Sequence, residues 1–113
     1  EILLKKSDFI TFHIPKNKET TIGKKEFKMM KKGVGIINTA RGGVIDELAL
    51  LEALKKEQVS AAGLDVFENE PQPSIHLLMN EKISLSPHIG GSTIEAQNRI
   101  GLELAEKIIN FYN

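Results

Sequence analysis

Short apolar runs recur along this chain, and three of them lead straight into polar islands. Residues 34–37 precede Asn38-Thr39-Ala40-Arg41-Gly42-Gly43, residues 61–64 precede Asp65-Val66-Phe67-Glu68-Asn69-Glu70-Pro71, and residues 83–85 precede Pro87-His88-Ile89-Gly90-Gly91-Ser92-Thr93. Such runs, bounded by turn residues, read as buried strands. Residues 9–14 predict another strand, stopped by Pro15. Helical spacing fills the gaps. Residues 2–6 read as helix, and residues 24–31 place Phe27 and Met30 on one side, with Gly33 closing the helix. Asp46 can cap a helix running to about residue 56, with Glu47 at the positive end of its dipole. A polar loop is predicted over residues 16–21 and a short helical turn over residues 75–79. Ser92 and Glu95 fit a capping box. After it, Ala96, Ile100, Leu104, Ile108 and Phe111 form an apolar stripe on a helix running to Phe111.

Strand and helix alternate, which predicts βαβ units, right-handed crossovers and a mostly parallel sheet. The continuous apolar stretches Ile36-Ile37 and Ala61-Ala62-Gly63-Leu64 predict strands covered on both faces. The expected fold is therefore α/β: part of a doubly wound, mostly parallel sheet with helices on both faces. Parallel strands bring their carboxyl ends to one edge, where open α/β sheets bind ligands. Arg41, an acidic residue of the second island and His88 would share that edge.

Bulk properties narrow the function. At 113 residues the chain is one domain at most. Fifteen basic residues balance fifteen acidic ones, so there is no basic surplus for nucleic acid and no attraction to an anionic membrane. Without cysteine, disulfide scaffolds, thiolate zinc sites and cysteine nucleophiles are excluded, and a cytoplasmic location is the natural reading. No apolar run approaches the ~20 residues needed to span a bilayer. The start, Glu1-Ile2-Leu3-Leu4-Lys5-Lys6, is too short and too charged for a signal peptide, and reads as the tail of a helix begun upstream. The expectation is a fragment.

The islands hold the candidate chemistry. Arg41 precedes two glycines that let the backbone turn tightly and approach a ligand. Its guanidinium can hold a carboxylate through two parallel hydrogen bonds, or it is a solvated arginine paired with Asp46 or Glu47. His88 can exchange protons near neutrality, or it is a helix-entry histidine bonded locally. Gly90 and Gly91 are expected to offer backbone amides at a helix N-terminus. Pro71 and Pro73 stiffen the acidic stretch Glu68-Asn69-Glu70, and the residues alone leave Glu68 and Glu70 undecided. Asp65 ends an apolar strand, where a carboxylate needs a partner or a ligand. His13 would also lie on the ligand edge, while His76 reads as a surface residue. The histidines lack the spacing of a helical metal pair, so no metal is expected.

Four stretches together are similar to a known family: Ser7-Asp8-Phe9-Ile10-Thr11-Phe12-His13-Ile14-Pro15, Ile37 through Asp46, Gly63 through Pro71, and Ser86 through Thr93. They resemble the NAD-dependent D-2-hydroxyacid dehydrogenases over nearly the whole chain, and Gly91-Ser92-Thr93 followed by Glu95-Ala96-Gln97 tilts the likeness toward the branch that oxidises 3-phosphoglycerate in serine biosynthesis. The resemblance implies the C-terminal half of a Rossmann-like NAD-binding domain. Arg41 would clamp the substrate carboxylate and keto oxygen. Glu70, rather than Glu68, would pair with His88, which would move the hydroxyl proton. His13, Ile14, Thr39, Ala40, Arg41, Asp65, His88, Gly90 and Gly91 would contact NAD. The family's G-x-G-x-x-G fingerprint and its substrate domain are missing, so the isolated chain is expected to be inactive. Half a sheet with an unpaired edge predicts a homodimer or larger homo-oligomer. The alternative is a non-enzymatic, NAD-sensing binding module, as in corepressors that keep the same Arg, Glu and His.

Overall fold

The computed structural model describes residues 1–16, 19 and 21–113. Along the chain run α1 (Ile2–Lys6), β1 (Phe9–Phe12), α2 (Lys24–Met29), β2 (Val34–Asn38), α3 (Glu47–Lys55), β3 (Val59–Leu64), α4 (Ile75–Leu78), β4 (Ile83–Leu85) and α5 (Ile94–Tyr112). The polar loop expected over residues 16–21 lies partly outside the described residues. Every predicted element is present. β1 stops earlier, at Phe12, while β3 starts earlier, at Val59.

The strands form one parallel sheet in the order β1-β2-β3-β4. Each crossover steps to the next strand in the same direction. Right-handed connections therefore put the intervening helices on one side, and α1, α2, α3 and α4 do pack as successive neighbours. Register shows the two faces. Ile10, Ile36 and Ala62 share the covered face, as do Phe12, Asn38 and Leu64. They pack against Phe27, Leu50, Leu54 and Leu77 from the helices and Met30 just after α2.

The opposite face carries Phe9, Gly35 and Ala61 in one row, and Thr11, Ile37, Gly63 and Ser84 in the next. It is open in this chain: Phe9 is 76% exposed and Ile37 39%. Within this chain the helices thus cover one face of residues 36–37 and 61–64. Gly, Ala and Ser make the strands read as continuous small apolar runs whether or not anything lies over them.

Two local expectations also change. Gly33 does take a left-handed φ of +80°, but it turns the chain into β2, its N–H donating to Gln58 O, whereas α2 already ends at Met29. Thr93, not Ser92, caps α5, its Oγ1 accepting from Ala96 N at 3.1 Å. α5 buries none of its residues, so its predicted apolar stripe faces outward. No helix is long and apolar enough to cross a membrane among the described residues.

Candidate functional site

The carboxyl ends of β2, β3 and β4 carry the three islands to one edge of the sheet. At the end of β2, Asn38 is buried and organises the loop that follows. Its Oδ1 accepts from Ala40 N and its Nδ2 donates to Arg41 O, both at 3.1 Å, a local turn typical of Asx side chains. The Arg41 guanidinium donates to Ala40 O at 2.6 Å and meets no carboxylate among the described residues. The alternative of an Arg41 pair with Asp46 or Glu47 is absent, because both acids have other partners. Asp46 accepts from Ala49 N at 2.9 Å and caps α3, and Glu47 accepts from Glu68 N at 2.7 Å. Arg41 is left exposed.

At the end of β3, Asp65 is 4% exposed and fully engaged. Oδ1 accepts from Ser86 Oγ at 2.6 Å and Ile89 N at 3.0 Å, and Oδ2 from Gly90 N at 2.8 Å. Burial alone would raise its pKa. The three donors more than offset burial, and the carboxyl titrates below its ordinary range. Asp65 thus ties β3 to the loop after β4. That loop holds His88 at φ +54°, a left-handed conformation that costs a non-glycine residue about 1–3 kcal/mol unless the surroundings hold it. The Asp65 bonds to the next two amides supply that hold.

The acidic choice is resolved by contact. Glu70 Oε1 accepts from Phe67 N at 2.9 Å, and Glu70 Oε2 lies 2.6 Å from His88 Nδ1. The imidazole bond, then the Phe67 amide, lower the Glu70 pKa against a smaller opposing effect of burial. Glu68 makes no contact with His88 and bonds Glu47 N instead, at 3.1 Å. Phe67, Pro71, Pro73, Leu78 and Leu85 wall an apolar cavity of about 300 Å³ beside the Glu70–His88 pair.

A second, open groove of about 450 Å³ runs along His13, Ile14, Thr39, Ala40 and Arg41. Beside it, Ile37, Thr39, Gly63, Asp65 and Ser86 line a further 270 Å³ or so. A Cβ on Gly63 would meet only Ile37 Cγ1, at 4.0 Å, so glycine keeps this floor open for a flat ligand. Most of the residues expected to contact a dinucleotide therefore line one connected edge. Ala40 is buried and could contribute only through its backbone. Gly90 and Gly91 stand just ahead of α5 as expected, but the Gly90 N–H is already taken by Asp65. His76 is exposed, away from the edge.

Residues 1–90 match the family model described as D-isomer specific 2-hydroxyacid dehydrogenase, NAD binding domain. The chain belongs to this family. D-3-phosphoglycerate dehydrogenase from Archaeoglobus fulgidus is 50% identical over 97% of the chain and 21% of the relative. Glyoxylate reductase from Thermococcus litoralis is 47% identical over 98% of the chain and 34% of the relative. The crystal structure of a glyoxylate reductase from Paecilomyes thermophila superposes with a TM-score of 0.83 at 47% identity, covering 89% of this chain and 31% of that one. The chain thus spans only about a fifth to a third of the length of these relatives. NAD is the cofactor of the domain, and His13, Ile14, Thr39 and Arg41 line an open groove at the strand ends that could hold part of it.

Asn38 and Ser86 received no role from the sequence, and Glu47 and Glu68 none in holding loops, yet all four hold the loops that carry Arg41, Glu70 and His88. An asparagine at a strand end, two residues before a turn, is the one readable signal among them.

Proposed function

We propose that the complete protein is an NAD-dependent oxidoreductase acting on the CH–OH group of a D-2-hydroxyacid, with 3-phosphoglycerate and 3-phosphohydroxypyruvate as the substrate pair. The contact that carries this reading is Glu70 Oε2 against His88 Nδ1 at 2.6 Å, on the edge that also presents the Arg41 guanidinium. Glu70 occupies Nδ1 and leaves Nε2 for the substrate. Nε2 takes the hydroxyl proton during oxidation and returns it during reduction, and the Glu70 carboxylate stabilises the imidazolium in between. Arg41 holds the substrate carboxylate and keto oxygen with a planar pair of donors. NAD, when bound, accepts the hydride from C2. His13 and Ile14 would hold the cofactor's ribose or phosphates, Thr39 and Ala40 would approach it, and Asp65 with Gly90 and Gly91 would serve its nicotinamide end.

The choice of 3-phosphoglycerate rests on the 50% identity to a D-3-phosphoglycerate dehydrogenase, which a glyoxylate reductase approaches at 47%. The small-molecule substrate, the balanced charge and the absence of cysteine fit a cytoplasmic enzyme. β1 and β4 are the outer strands of the sheet in this chain, and edges left open favour assembly of copies of the 113-residue chain itself into a homo-oligomer.

NADH oxidation by the complete protein tests this reading. The panel is 3-phosphohydroxypyruvate, glyoxylate, hydroxypyruvate and pyruvate. Preference for 3-phosphohydroxypyruvate is expected. Preference for glyoxylate would move the protein to the reductase branch. Oxidation with none of them would overturn the enzymatic reading in favour of an NAD-sensing module.

A further inference from the structure

We infer that Glu47 and Glu68 are positioning residues: their reciprocal bonds set the spacing between the Arg41 loop and the loop that carries Glu70. The inference rests on the reading above, in which Arg41 and His88 act on one substrate. The two groups come from different connections. Arg41 lies between β2 and α3, and Glu70 lies between β3 and α4. Sheet register fixes where each connection begins, pairing Asn38 with Leu64. Beyond that point something else must hold the loops in place.

Two contacts do so. At the first, a Cβ built on Gly42 would sit 1.8 Å from Phe67 O, so the Arg41 loop lies flush against the Phe67 peptide. At the second, Glu47 N donates to Glu68 Oε1 at 3.1 Å, while Glu68 N donates to Glu47 Oε1 at 2.7 Å. Each side chain accepts from the other's backbone, so neither loop can slide without breaking a bond at both residues. Glu47 opens α3, where a backbone amide lacks an intrahelical partner and an anion is stabilised. The adjacent Phe67 amide is held by Glu70 itself. A shift of Glu68 is therefore passed through one peptide to the carboxylate that orients His88. Two carboxylates placed together repel, so their joint placement is a cost that the two amide bonds must offset.

The test uses the complete protein, with its best 2-keto acid as substrate and Glu68→Ala, Glu47→Ala, the double variant and Glu68→Gln. A misplacement of reacting groups by a fraction of an ångström lowers rate steeply, so each alanine variant should lose about tenfold in kcat/KM. The loss should fall on the keto acid, with the NADH KM unchanged. Each alanine variant removes one of the two amide bonds and loosens the other, so the double variant should lose more than either single one but less than the product of the two losses. Glu68→Gln keeps the accepting oxygen and should restore the rate. Losses that multiply in the double variant, or wild-type kinetics in all the alanine variants, would overturn the inference. So would a Glu68→Gln protein that folds normally but stays impaired. If the wild-type protein turns over no keto acid, the functional reading fails by itself, and hydrogen exchange then judges the clasp. Slow exchange of the Glu47 amide that becomes fast in Glu68→Ala supports it, and fast exchange in the wild type overturns it.

Discussion

Oε2 of Glu70 lies 2.6 Å from Nδ1 of His88, and this single contact decides which ring nitrogen is left for chemistry. The other Glu70 oxygen is anchored on the Phe67 amide, so the carboxylate cannot swing away from the ring. The ring has little freedom of its own either, because His88 sits in a left-handed turn pinned through Asp65. In the proposed mechanism, holding His88 from both the side chain and the backbone preorganises it for proton transfer through Nε2.

Removing either partner should therefore hit turnover and leave the fold intact. Glu70→Ala and His88→Ala are each expected to lower kcat by about 10²–10⁴-fold, the range for a lost general acid–base group. Steady-state kinetics with circular dichroism on the same samples checks this. Normal turnover in His88→Ala would remove the imidazole from the mechanism.

Arg41 lacks a carboxylate partner among the described residues, so its charge is available to a ligand. Lysine keeps the charge but not the planar pair of donors. Arg41→Lys should raise the keto-acid KM about 10- to 100-fold, the equivalent of one or two charge-assisted hydrogen bonds. The NADH KM should move far less. Equal changes in both would mean that Arg41 serves the cofactor groove rather than the substrate.

Asp65 and Glu70 give the protein an acid-sensitive site with a definite sign. Both carboxyls titrate lower in the folded chain than in an unfolded one. A depressed folded pKa contributes stability that is present above the unfolded value of about 4 and is lost as pH falls through the folded value. Urea midpoints should thus hold steady from neutral pH down to about 5 and drop below about 4. In Asp65→Asn the drop should be shallower and the neutral-pH midpoint lower, since an amide cannot accept from Ser86, Ile89 and Gly90 together. A pH profile identical to wild type would mean that those three bonds do not hold Asp65 ionised.

Much of this arrangement was legible locally. The apolar runs placed β2, β3 and β4, and Asp46 announced the start of α3, because strand burial and helix capping depend on residues close in sequence. At the start of α5 the sequence points to Ser92 and the structure uses Thr93, since both side chains can cap and only the backbone decides. The choice between Glu68 and Glu70 was not readable from the residues themselves. It depends on the Phe67 amide and on a loop that arrives after β4. The open sheet face was hidden for a related reason. Gly35, Ala61 and Gly63 look the same in sequence under a covering layer or under solvent.

The glycines offer a paired test of how tightly the Arg41 loop is seated. A Cβ on Gly42 would overlap the Phe67 carbonyl at 1.8 Å, and it would meet backbone that is itself held by the Glu70 and Glu47 bonds. A Cβ on Gly35 would come as close as 2.5 Å, but to the Phe9 ring, whose 76% exposure lets it rotate away into solvent. Overpacking against fixed atoms costs about 1–3 kcal/mol or more, whereas a displaced surface side chain costs little. Gly42→Ala should therefore lower the urea midpoint and the keto-acid turnover together, because relief requires the Arg41 loop to lift away from Phe67. Gly35→Ala should leave turnover unchanged and shift the midpoint only slightly. If the two variants were equally stable and equally active, the seating of the Arg41 loop on Phe67 would be too loose to fix the distance between Arg41 and the Glu70–His88 pair.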